Sequence, residues 1–179
     1  MSNIIILAGS ERKDGNTDML VDAFKKGAAK KNKVEVISVR SHDINPCIGC
    51  NSCFTRLGNE CFQKDDMQMV YEKLKTADVL VIASPVYFYG ISAQLKAIID
   101  RLHTPMRNEF PIKKLALILV GAATLPELFD SIKLQYKLVL SFFHLEDAGM
   151  VLVQGAKDIG DVKNTDGLDR AYELGLSIG

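Results

Sequence analysis

Short apolar runs alternate with apolar residues at helical spacing along the whole chain. Residues 4–7, 34–39, 79–83, 115–120 and 150–153 read as strands. The runs at 79–83 and 115–120 are nearly continuous, the pattern of strands covered on both faces. Between the strands, Leu20, Phe24, Gly27 and Ala28 recur at helical spacing, as do Met67, Val70, Tyr71 and Leu74. Ile91, Leu95, Ile98, Ile99 and Leu102 form a third stripe, and Leu128, Phe129, Ile132, Tyr136 and Val139 a longer fourth. Leu168, Tyr172 and Leu176 predict a last helix.

Strands separated by helices imply a parallel sheet with right-handed crossovers. The expected fold is therefore α/β: a three-layer flavodoxin-like arrangement, with a five-stranded parallel sheet of order 2-1-3-4-5 and helices on both faces. No repeat, low-complexity tract or linker interrupts the pattern, so residues 1–179 are expected to form a single domain. Two stretches, 42–64 and 103–112, lack either period. Ligands of open α/β sheets bind beyond the carboxyl ends of the strands, which directs attention to the loop after each one.

The loop after the first strand reads Gly9-Ser10-Glu11-Arg12-Lys13-Asp14-Gly15-Asn16-Thr17 and opens the first helix. Glycines allow a tight turn, and free amides at a helix start favour a phosphate. Ser10, Asn16 and Thr17 add short polar groups and Arg12 adds charge. The plainer alternative is an ordinary strand-to-helix loop with Asn16 as N-cap. The stretch is neither a G-x-G-x-x-G fingerprint nor a P-loop, and a monophosphate fits it better than a dinucleotide. After the third strand comes Ser84-Pro85-Val86-Tyr87-Phe88-Tyr89-Gly90-Ile91-Ser92. Aromatic groups beside a glycine-bearing turn can hold a planar ring, while the competing reading makes Tyr87, Phe88 and Tyr89 core or interface aromatics.

Charge narrows the field. Lys and Arg number 22 and Asp and Glu 22, so nothing favours nucleic acid or an anionic membrane as partner. The apolar run at 4–7 is too short for a signal-peptide core and has no basic leader, and no later run is long enough to span a bilayer. A cytoplasmic protein is the expectation. All four cysteines, Cys47, Cys50, Cys53 and Cys61, fall in one irregular loop with spacing C-x2-C-x2-C-x7-C. In a reducing compartment such cysteines are free, catalytic or metal-bound rather than structural disulfides. The first triplet is similar to a ferredoxin-type run of cluster ligands, but no proline follows the fourth cysteine. Zinc, which favours two separated cysteine pairs, a cycling thiol pair, and an empty loop with Cys47 and Cys50 buried beside a ligand stay open as alternatives. His42, His103 and His144 are scattered, with no partner at ligand spacing. Asp65-Asp66 reads as a helix cap and first-turn acid.

Gly9-Ser10-x-Arg12-x-x-Gly15-Asn16-Thr17, then Ser84-Pro85-Val86-Tyr87, then Gln94-Leu95-Lys96-x-x-x-Asp100-Arg101 resembles the NAD(P)H-dependent FMN reductase superfamily. The cysteine triplet, Cys61 and Asp65-Asp66-Met67 resemble its iron–sulfur flavoprotein branch. Specific motifs run from residue 4 to about residue 101. The resemblance implies FMN bound noncovalently, with NAD(P)H as electron donor. By it, Ser10, Arg12, Gly15, Asn16 and Thr17 hold the phosphate, and Pro85, Val86, Tyr87, Phe88, Gly90 and Gly121 line the flavin ring. Relatives often carry a glycine pair after the fourth strand, where this chain has Gly121-Ala122-Ala123-Thr124. The resemblance also makes Cys47, Cys50, Cys53 and Cys61 the ligands of a [4Fe–4S] cluster. Asp100-Arg101 is expected to anchor a helix end or an oligomer contact, outside the site.

The activity so implied is electron transfer from NAD(P)H through FMN to a small acceptor: a quinone, free flavin, or nitro or azo compound. The main rival is a flavodoxin-type carrier taking electrons from ferredoxin, against which the zero net charge counts. A third reading is a small regulatory or quinone-protecting flavoprotein that assembles through its flavin loops. A homodimer or homotetramer is expected by analogy with related reductases.

Overall fold

A computed structural model of the chain describes residues 1–178. In chain order the elements are β1 (Asn3–Ala8), α1 (Asn16–Ala28), β2 (Lys33–Ser38), the single turn α2 (Ser52–Thr55), α3 (Met67–Leu74), β3 (Val79–Tyr87), β4 (Gly90–Ile91), α4 (Ala93–Arg101), β5 (Lys114–Val120), α5 (Asp130–Phe143), β6 (Glu146–Val153) and α6 (Gly167–Ser177). The sheet order is β2-β1-β3-β5-β6. Neighbours along that path are parallel, as the pattern predicts.

One element departs from the five-strand expectation. β3 runs on through Pro85 and Val86 to Tyr87, and β4 folds back on it antiparallel, giving six strands. The cause is a tight turn at Phe88 (φ 47°) and Tyr89 (φ 63°), both left-handed, as a two-residue hairpin turn requires. What reads as a loop after strand three is thus mostly strand. β6 likewise begins at Glu146, ahead of its apolar part.

Period-two alternation divides the core. Ile5, Leu7, Leu80 and Ile82 pack with the buried residues of α3, α4 and α5, whereas Val79, Val81 and Ala83 pack with those of α1 and α6. Both faces being apolar explains the uninterrupted runs; each buried aliphatic side chain contributes about 1.5–3 kcal/mol. α1 carries Asp18 in its first turn and Lys25 and Lys26 in its last, matching the helix dipole.

α6 is the last helix that the spacing predicts. Its buried face is the small stripe Gly167, Ala171 and Gly175, while Leu168, Tyr172 and Leu176 are only partly covered. α1 and α6 meet almost backbone to backbone there. A Cβ on Gly27 would lie 2.1 Å from the Tyr172 carbonyl oxygen, and one on Gly175 2.2 Å from that of Phe24.

Candidate functional site

The C-terminal ends of β1, β3 and β5 lie side by side, with Ala8 paired to Ala83 and Pro85 to Val120. The sheet thereby brings the loop from Gly9, the Pro85–Tyr87 end of β3 and Gly121 to one edge. The Gly9 amide donates to the Ala83 carbonyl at 2.8 Å, and a Cβ on Gly9 would be 2.8 Å from Leu95. The three loops are thus held in close contact. A Cβ on Gly121 would meet Leu128 at 2.7 Å and Val86 at 3.5 Å, so only glycine fits unshifted beside the end of β3.

Gly15, not Asn16, is the N-cap of α1, and no side chain caps the helix. Among the described residues, no protein acceptor meets the amides of Asn16, Thr17 or Asp18. Free first-turn amides at a positive dipole end are what a phosphate group requires. The buried Ser10 hydroxyl turns the loop locally, accepting from the Arg12 amide at 3.2 Å. Arg12 is exposed and donates to the Lys157 carbonyl at 3.1 Å. Thr17 is buried beside the free amides.

Asn16 does something other than either sequence reading expects. Its amide nitrogen donates to the carbonyls of Ala156 (3.3 Å) and Asp158 (2.8 Å). Its oxygen accepts from the amides of Gly160 (3.0 Å) and Val162 (3.3 Å). The side chain is fully engaged in pinning the 156–162 loop to the start of α1, while the Asn16 backbone amide stays free among the described residues.

Arg40 escaped the sequence reading. From the turn after β2, its guanidinium donates to the carbonyls of Ser10 (2.8 Å) and Arg12 (2.9 Å) and pairs with Asp18 at 2.9 Å. Asp18 in turn accepts from the Asp14 amide at 2.9 Å. Asp14 itself is left-handed, with φ 54°. One planar fork therefore fixes the loop's carbonyls, which leaves its amides aimed elsewhere.

On the β3 side the aromatics are not core. Phe88 is 99% exposed, and Tyr87 and Tyr89 about half so. Bulky residues at positive φ cost of order 1–3 kcal/mol each. The Tyr89 carbonyl accepts from the Ser131 hydroxyl. The buried Ser84 hydroxyl accepts from the Ser92 amide at 3.0 Å, and the Ser92 oxygen caps α4 through the Leu95 amide at 3.3 Å. Gly90 forms β4 with Ile91.

The cysteine loop is closed at its neck. The Asp43 amide donates to the Asp66 carboxylate at 2.8 Å, the Asn45 amide to Asp65 at 2.9 Å, and the Gln63 side chain to the Pro46 carbonyl at 3.2 Å. Beneath the neck, Arg101 at the end of α4 donates to the Asn45 carbonyl at 3.0 Å and to the Asp65 carboxylate. Both side chains of that ion pair are 2% exposed. Burial pushes the Asp65 carboxyl up, but the Arg101 guanidinium and the Asn45 and Met67 amides outweigh it and hold it below the ordinary carboxylate range. A depressed folded pKa contributes stability that is fully present above the unfolded value, about 4, and lost only as pH falls through the lower folded one. The Arg101–Asp65 pair therefore stays ionised through the neutral range.

Cys47 and Cys50 are exposed, Cys53 and Cys61 half-buried, and all four are free. Cys47 and Cys50 are thus not covered by other residues of this chain. The Ser52 hydroxyl, 3.3 Å from Cys50 Sγ, and its amide hold the Cys50 thiol below the usual value. Among the described residues no three Cys, His, Asp or Glu side chains converge as a single ion's ligands would. A four-iron cube takes its thiolates one per corner, so four thiols spread along one loop match it in donor set. His103 packs between the rings of Phe54 and Phe142, each 6.0 Å away, at the cysteine loop. A cavity of about 670 Å³ opens between α4 and α5, lined by Leu80, Ile82, Leu117, Ile132, Tyr136 and Phe142 and by no residue of the 9–17 loop.

The sequence profile of the NADPH-dependent FMN reductases matches residues 2–156. The chain belongs to that family. It is 33% identical to an iron–sulfur flavoprotein of Methanocaldococcus jannaschii over 98% of its own length and 94% of the relative's, which places it in the iron–sulfur flavoprotein branch. It is 26% identical to a putative NAD(P)H-dependent FMN-containing oxidoreductase of Bacillus subtilis, covering 89% of this chain and 88% of that one. The NAD(P)H:quinone oxidoreductase of Methanothermobacter marburgensis shares the fold at TM-score 0.74 and 15% identity, over 99% of each chain. The protein is accordingly an oxidoreductase of a family that uses FMN and NADPH. No helix among the described residues is long and apolar enough to cross a membrane.

Proposed function

We propose that the protein passes electrons from NAD(P)H through bound FMN to a small acceptor, a quinone, free flavin, or nitro or azo compound, with a [4Fe–4S] cluster on the cysteine loop. The observation that carries this reading is the set of uncapped amides at the start of α1, set at the sheet edge beside an exposed aromatic turn. In it, Ser10, Arg12, Gly15, Asn16 through its backbone amide, and Thr17 form the phosphate cradle, and the Asn16 side chain and Arg40 hold that cradle in shape. Pro85, Val86, Tyr87, Phe88, Gly90 and Gly121 frame the flavin ring. FMN held there would supply the redox chemistry between nicotinamide and acceptor. The protein's residues position the ring and leave one approach open, and none is assigned as general acid. The cysteine loop offers Cys47, Cys50, Cys53 and Cys61 as thiolate ligands, a set suited to single-electron relay.

Four free thiols fit a reducing, cytoplasmic compartment. Leu134, Leu138 and Phe142 form an exposed apolar stripe on α5, which supports assembly as a homodimer or homotetramer. The second reading, a carrier fed by ferredoxin, is favoured by the cysteine loop itself. Anaerobic mixing with NADPH or NADH alone separates the two. The enzyme reading expects the visible absorbance of oxidised flavin to bleach within seconds and without a partner protein. Flavin that stays oxidised until reduced ferredoxin is added contradicts it.

A further inference from the structure

The buried Arg101–Asp65 pair is more than a helix-end anchor. Arg101 is the last residue of α4, whose first turn is capped by Ser92 next to the aromatic turn. One nine-residue helix, about 13 Å long at 1.5 Å per residue, therefore joins the flavin side of the site to the neck of the cysteine loop. From that position Arg101 grips both strands of the neck, through the Asn45 carbonyl ahead of Cys47 and the Asp65 carboxylate beyond Cys61. The same chain segment adds a third tie, the Thr104 hydroxyl donating to the Asn59 carbonyl at 3.3 Å. Tyr71 on α3 donates to the Arg101 carbonyl at 2.8 Å and so fixes the helix end. The Arg101 Nε is buried and has no partner, and both neck bonds leave from the one nitrogen Nη1. A buried donor without a partner is costly and calls for an explanation.

We propose that Arg101 is a positioning residue for the cysteine loop: it closes the neck, which holds Cys47 and Cys61 in reach of one cluster, and sets a permanent positive charge beside that cluster. The second half of this rests on the cluster reading above. Burial works against the Arg101 charge, but the Asp65 carboxylate bonded to the guanidinium outweighs it and holds Arg101 more basic than usual, so the charge is kept at any ordinary pH. Net charge near an iron–sulfur cluster is one of the levers on its potential, and a buried cation favours the reduced, more negative state. Lysine at this position keeps the charge but lacks the rigid planar guanidinium that holds Nη1 between the two neck strands.

The test uses the full chain with Arg101→Met and Arg101→Lys, first without metal and then loaded anaerobically with iron and sulfide. In the metal-free chains, hydrogen exchange of residues 43–66 should quicken at least tenfold in both variants, with the sheet strands unchanged. In the loaded chains, Arg101→Met should bias the cluster toward its oxidised form by about tenfold, which is 59 mV for one electron. Arg101→Lys should stay near the wild-type potential. Unchanged exchange in both variants overturns the neck half, and an unchanged potential in Arg101→Met overturns the charge half. Should Arg101→Met fail to fold, Arg101→Lys decides alone, and exchange no faster than wild type overturns the proposal. Wild-type protein that takes up no iron removes the cluster reading and the charge half with it, while exchange in the metal-free chain still decides the neck.

Discussion

Gly27→Val should unfold the protein more readily than any surface change, by about 3 kcal/mol, at the upper end for overpacking. For a domain of this size that lowers Tm by roughly 6–12 °C. The reason is what the new Cβ meets. It falls 2.1 Å from the Tyr172 carbonyl oxygen and 3.0 Å from the Leu176 amide nitrogen, both backbone atoms of α6 that no side-chain rotation can clear. Helix propensity acts the other way for alanine, which is better than glycine in a helix interior by about 1 kcal/mol. Gly27→Ala should therefore still destabilise, by less, and its sign tells packing from propensity. Lys26→Val, one residue away on an exposed face, is the control and should stay within about 0.5 kcal/mol. A Gly27→Val melting point within 2 °C, about 0.5–1 kcal/mol, of wild type would contradict the close α1–α6 crossing.

Arg40→Met should weaken FMN binding by about 10–100-fold while leaving the sheet intact. Three hydrogen bonds from one guanidinium reach Ser10, Arg12 and Asp18, and charged hydrogen bonds are each worth about 1.5–3 kcal/mol. Exposure of the Arg40–Asp18 pair screens part of that. The loss falls on the loop and not on a flavin contact, since Arg40 binds carbonyls and the phosphate would meet amides. Titration of FMN into the flavin-free variant, followed by quenching of flavin fluorescence, measures it. Arg40→Lys should recover only part of the affinity, because a point charge cannot hold two carbonyls and a carboxylate in one plane. Unchanged affinity in Arg40→Met would mean that the loop holds its shape without the fork.

What could be read from the chain follows from how local each signal is. The strands at 79–83 and 115–120 were legible because burial on both faces leaves no polar position in the run. The Gly9–Thr17 loop was legible as a candidate phosphate site because its glycines and short polar residues are contiguous. The roles of Arg40 and Asn16 were not, since their partners stand 22–30 and 140–146 residues away and no periodicity marks a side chain that binds backbone carbonyls. The helix α6 was legible, but its buried face was not. Gly167, Ala171 and Gly175 add little hydrophobicity, so the larger Leu168, Tyr172 and Leu176 carried the pattern although the backbone contact lies on the small side. The hairpin at Phe88 and Tyr89 was hidden because two-residue turns of this hand normally carry Asn or Gly. Arg101 looked like a helix-end charge because nothing near it in sequence announces Asp65 or Asn45.

A flavin site and a thiolate-ligated cluster on one chain can be tested together. Iron and acid-labile sulfide per FMN in anaerobically prepared protein give the most direct measurement. The expected result is about four of each per FMN. Stoichiometric FMN with no iron would contradict it, leaving a two-electron reductase whose four free cysteines serve some other purpose.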